Sequence, residues 1–168
     1  MKPFSFLALA LALAIIAGSA SAQSNPPQPI APPNDMPYAG QQARAIKALS
    51  DDDIAALRKG EGMGMAKAAE LNGYPGPAHV LQLAGQLGLT EIQRRDVQAI
   101  FDRMSTAAKP LGDELIAQEQ ALDQFFAKGE ITPDRLAAMT AAIAKLQGRL
   151  RLVHLSAHLE TRALPNPD

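Results

Sequence analysis

Residues 90–127 read TEIQRRDVQAIFDRMSTAAKPLGDELIAQEQALDQFFA, and their periodicity decides the fold. Val97, Ile100, Met104, Ala108, Leu111, Leu115, Leu122 and Phe126 recur at the spacing of one helix face. Glu119 occupies the one position of that stripe that is charged. The steps average close to an eleven-residue repeat, so the helix is expected to run nearly straight or slightly right-handed. Thr90 with Gln93 forms a capping box, the Thr oxygen and the Gln side chain satisfying orphan amides reciprocally. From Thr90 to Lys128 the helix would exceed about 50 Å at ~1.5 Å per residue, too long for a compact bundle. Pro110 removes a hydrogen bond inside it and Gly112 loosens the same place, which predicts a bend.

Outward from this segment the punctuation is helical. Gly129 closes the long helix, and Thr132-Pro133 opens the next with an N-cap and a proline in its first turn. Leu136, Met139, Ile143, Leu146, Leu150, Val153 and Ala157 follow in a heptad-like a/d pattern. So short a connection makes the two helices an antiparallel hairpin. On the N-terminal side, Ser50 and Asp53 resemble a capping box ahead of Ile54 and Leu57, with Gly60 as the stop. Met63 to Leu71 is an Ala-rich piece closed by Asn72-Gly73. After the Tyr74–Pro77 turn, Pro77 opens a further piece from His79 to Leu87, stopped by Gly88. No segment sustains period-two alternation. The expected fold is all-α: a long, bent antiparallel helical hairpin preceded by short helices over residues 41–164.

Composition agrees. Hydrophobic residues make up 47% of the 168 and aromatics only 4%, so the apolar content is mostly Ala and Leu, which favours helix over strand. With no Cys there can be no disulfide framework, thiolate zinc site or Cys nucleophile. Sixteen basic against 17 acidic residues give a net charge of -1, which offers no footprint for nucleic acid.

Residues 1–22 have the parts of a secretory leader: Lys2, an apolar run from Phe4 to Ala17, and the small-residue end Ala20-Ser21-Ala22. The run is shorter than the roughly 18–20 apolar residues that span a bilayer. Cleavage is expected after Ala22, leaving an exported chain without a membrane span, in the periplasm of a two-membrane bacterium. Loss of Lys2 leaves 15 basic and 17 acidic residues, or -2. Residues 23–40 hold six prolines between Pro26 and Pro37 and are expected to form an extended, disordered tether. Residues 165–168 are expected to be a short disordered tail.

Motifs for catalysis are absent. The three histidines, His79, His154 and His158, belong to no G-x-S-x-G or H-E-x-x-H pattern. The stretch Gly60–Met65 is glycine-rich but follows no strand, so it is not read as a nucleotide loop, and Asp51-Asp52-Asp53 suits the first turn of a helix better than a cation site. No enzyme is expected. His154 and His158, four apart, share a helix face, and folding about Gly129 sets them roughly opposite Phe101 and Met104. Two imidazoles and a thioether would suit zinc, copper, nickel or cobalt. The plainer readings are a solvated surface pair and a core methionine.

The string Leu89-Thr90-Glu91-Ile92-Gln93 fits the LTxxQ signature of the Spy/CpxP family of periplasmic stress proteins, with Leu89, Thr90 and Gln93 at the motif positions. Export, the lack of Cys and the helical hairpin complete a resemblance that spans roughly residues 73–164 and extends to periplasmic heavy-metal sensor proteins. The chain departs from the family at its end, where Leu164-Pro165-Asn166-Pro167-Asp168 lacks the Thr and Gln of a second motif, and in its acidic net charge. Lys109, Lys145, Arg149 and Arg151 could still form a local basic patch. The resemblance implies a homodimeric cradle and an ATP-independent chaperone that binds unfolded or aggregation-prone proteins under envelope stress. Phe101, Met104, Leu111, Leu115, Leu122, Phe125 and Phe126 would supply the client or dimer surface. Phe101, Leu115, Leu122, Phe125 and Phe126 exceed what one helix seam needs, so that surplus must face the short N-terminal helices, a second subunit or a client. The alternative it implies is a heavy-metal sensor or buffer using His154, His158 and Met104.

Overall fold

The computed structural model describes residues 38–164; the leader, most of the proline-rich stretch and the tail fall outside them. A 3-10 turn at Gln41–Ala43 precedes five helices: α1 Asp51–Lys59, α2 Lys67–Glu70, α3 Pro77–Gln82, α4 Glu91–Ala127 and α5 Pro133–Ala163. There is no strand among the described residues. The protein is an all-α hairpin of two long helices preceded by short ones.

Caps set the helix boundaries. Asp53 N–H donates to Ser50 Oγ at 3.1 Å, and Ser50 N–H donates to Asp53 Oδ2 at 2.9 Å, which closes the box at α1. The Ser50 hydroxyl and then its N–H hold the Asp53 carboxyl below its ordinary value. The same reciprocity opens α4, where Gln93 N–H donates to Thr90 Oγ1 at 3.2 Å and Thr90 N–H to Gln93 Oε1 at 2.9 Å. At the other end of α4, Glu130 N–H reaches Phe125 O and Gly129 N–H reaches Phe126 O, with Gly129 at φ 69. That is a Schellman closure, and it needs a residue free to take positive φ. Thr132 then caps α5, with Pro133 at its start. Arg135 fastens the turn, donating to Glu130 O at 2.7 Å while stacking 4.3 Å over the Phe125 ring.

The hairpin is knit by two cross-helix ion pairs, Arg103–Glu160 at 2.6 Å and Glu114–Arg149 at 4.0 Å. From the first pair to the second, α4 advances eleven residues and α5 retreats eleven, so one antiparallel register holds between them. Helix α4 runs unbroken through Pro110. Pro110 and Thr106, whose carbonyl loses its partner, are both exposed, so water can satisfy that carbonyl.

Gly112 has a more specific role than loosening the helix. It is buried, and a Cβ built there would overlap the Leu57 carbonyl of α1. The missing side chain lets α1 lie directly on α4. Ile46, Leu57, Ala108, Leu111, Leu115, Ile116, Ile143, Leu146 and Leu150 form the resulting core, with Ile54 and Leu122 packed against it. Of the predicted stripes, Val97 through Leu115 and Ile143 through Ala157 face inward, while Phe126 and Leu136, near the turn, are exposed.

Candidate functional site

The loop after α1, helix α2 and the start of α3 lie over one face of the hairpin and enclose a cavity of about 350 Å³. Phe101 and Met104 of α4 and His154 and His158 of α5 line it from the hairpin, and Glu70 and His79 from the short helices. The two α5 histidines are 3% and 5% exposed, so they are not a solvated surface pair.

His158 is held by the backbone. Its Nδ1 lies 2.8 Å from the Tyr74 carbonyl oxygen, which can only accept, so Nδ1 carries the proton. In the neutral ring, Nε2 therefore keeps its lone pair, and it faces Glu70 Oε1 at 3.8 Å. The same carboxylate oxygen lies 3.8 Å from His79 Nδ1. Gly76 makes room for this arrangement, since a Cβ there would stand 2.8 Å from His158 Nε2.

His154 lies one turn earlier against Gly62, and its Nε2 is buried without a hydrogen-bond partner. Such an atom costs roughly 1–3 kcal/mol of desolvation. Burial first, and then the neighbouring His158, push the His154 pKa below the ordinary histidine value. Among the described residues no three His, Cys, Asp or Glu side chains already converge as a metal centre. The cavity presents donors arranged around a gap.

A different surface lies between the two long helices. Two adjoining shallow depressions, of about 340 and 270 Å³, are lined only by α4 and α5, so the short helices leave this strip open. Ala107, Leu152 and Val153 line both, with Pro110 and Ser156 beyond them. Leu152 is 64% exposed, and Leu159, two helical turns on, is 59% exposed. The Arg103–Glu160 and Glu114–Arg149 pairs contribute charged residues to the same trough.

The sequence-predicted surface residues separate in the structure. Leu111 and Leu115 are buried in the chain's own core beside Leu57 of α1, and Leu111 also lines the floor of the second depression. Leu122 packs against that core, and Phe125 is half-buried under Arg135. Phe101 and Met104 are half-buried in the histidine cavity, Met104 also reaching the trough, while Phe126 alone of the seven is exposed. Leu89 is half-buried, and Thr90 and Gln93 act as the α4 cap. Arg149 lines the trough whereas Arg151 lines a groove with Leu49 and Leu57, so they do not form one basic patch. Met104, His154 and His158 do share a cavity, as expected, but Glu70 and His79 escaped the sequence reading. Comparison with known protein families, curated proteins and solved structures yields no match.

Proposed function

We propose that this chain is an exported, ATP-independent chaperone-like protein that holds unfolded or aggregation-prone proteins in the periplasm under envelope stress. The observation that carries this reading is the trough: an apolar strip along two long helices, left uncovered by the protein's own short helices and bordered by charge. Apolar side chains exposed side by side along one face, as Leu152 and Ala107 are, support reading the strip as an interaction site. A shallow, one-sided groove suits segments of many sequences, since it offers apolar contact without a shaped pocket to discriminate among them. The leader-like residues 1–22 and the resemblance to the Spy/CpxP family support the same function. No helix among the described residues is long and apolar enough to cross a membrane.

Weak, reversible binding is what such a surface provides, because the area engaged is modest and the client keeps most of its conformational freedom. A second copy laid along the hairpin would extend the strip into a cradle, so the chain is expected to function as a homodimer. Anisotropy of a labelled, permanently unfolded polypeptide titrated with the protein tests the assignment. Leu152→Glu and Ala107→Glu alter exposed side chains and are expected to weaken binding at least tenfold with helicity unchanged. Binding equal to that of the unmodified protein would remove the trough as the client surface.

A further inference from the structure

Glu70, His79 and His158 come from three different helices, and one carboxylate oxygen of Glu70 stands 3.8 Å from a ring nitrogen of each histidine. These separations are too long for hydrogen bonds. They are slightly wider than the roughly 3.4 Å between donors that share a tetrahedral ion with bonds of about 2.0–2.2 Å. We infer that Glu70, His79 and His158 form a binding site for a first-row divalent cation of the zinc type, and that the ion fastens α2 and α3 to α5.

Three further observations fit. The Tyr74 carbonyl fixes the His158 proton on Nδ1 and turns Nε2 toward Glu70, the outer-shell arrangement found behind metal-bound imidazoles. His154, one turn away and almost fully buried, brings an unpartnered Nε2 to the same cavity, where a cation-bound water could meet it. Glu70 and His79 sit on short helices with side chains 38% and 63% exposed, so both have room to shift toward His158 and close on an ion. Two imidazoles and one carboxylate leave a fourth position to water, the donor set of an open zinc site. Met104 lines the cavity but is not needed as a ligand.

The inference does not depend on the chaperone reading and is tested apart from it. Zinc chloride is titrated calorimetrically into tag-free protein stripped with chelator, and the melting temperature is followed with and without zinc. One ion per chain is expected, with a higher melting temperature. Glu70→Gln and His79→Ala, both at accessible positions, are each expected to weaken binding at least tenfold and to abolish the thermal shift while leaving helicity intact. Cobalt absorption in the unmodified chain is expected to show nitrogen and oxygen ligation. Zinc binding that is absent, or equally tight in a Glu70→Gln/His79→Ala double variant, would overturn the site.

Discussion

The α-carbon of Gly112 lies directly beneath the carbonyl group of Leu57, so closely that a methyl group would overlap it. This contact seats α1 on α4, where Leu57 joins Leu111 and Leu115 in one buried core. Gly112→Ala would ordinarily favour a helix by about 1 kcal/mol. Here it is expected to destabilise by about 1–3 kcal/mol, because α1 must move away. Gly148 is the control: it lies inside α5 with nothing within 4 Å of a built Cβ, so Gly148→Ala is expected to stabilise by about 0.5–1 kcal/mol. Urea denaturation of both variants reads the opposite signs.

Leu150 and Leu152 are near neighbours in sequence with opposite burdens. Leu150 is 1% exposed in the seam and Leu152 is 64% exposed in the trough. Leu150→Ala is expected to cost about 2–5 kcal/mol, and Leu152→Ala to change stability by no more than about 0.5 kcal/mol. Equal losses in a chemical melt would place Leu152 in a packed interface.

Glu119 is the charged intruder in the apolar stripe of α4, and burial raises its pKa above the ordinary carboxylate value of 4.5. A raised folded-state pKa contributes stability below the unfolded value, and that contribution is lost as pH rises through the folded value. Glu119→Leu is therefore expected to raise the melting temperature at pH 7 and to do so less at pH 4. No gain at pH 7 would mean the carboxylate is well solvated.

The His154 effect has the opposite sign. Its folded-state pKa is depressed below 6.5, mainly by burial, so the folded chain binds fewer protons than the unfolded one. Stability is full above pH 6.5 and falls with acidification from there toward the depressed value. His154→Leu, which also removes the orphaned Nε2, is expected to keep the fold and flatten that part of the profile. An unchanged slope in metal-free buffer would assign the acid sensitivity to other groups.

The hairpin was legible because its signals are local. Ser50 with Asp53, Thr90 with Gln93, Thr132 and Gly129 act within a few residues of themselves, and the two stripes depend only on helical spacing. Even the apposition of His154 and His158 to Phe101 and Met104 follows from folding at a known turn. The rest depends on how irregular segments pack. Nothing in the sequence between Gly60 and Gly76 announces that its loops cover the α5 histidines, so the burial of that pair could not be anticipated. Glu70 and His79 meet through the turn that joins two very short helices, which no periodicity reveals. Gly112 looked like a weak point in the helix because α1, its reason for being glycine, is distant in sequence.

The central claim is that the open strip between α4 and α5 holds unfolded protein. Light scattering of a chemically denatured client, diluted into buffer containing chelator and the protein at near-stoichiometric amounts, tests it most directly. The account predicts suppressed aggregation in chelator, undiminished by Glu70→Gln and lost with Leu152→Glu. Aggregation at the unprotected rate, with or without added zinc, would contradict it.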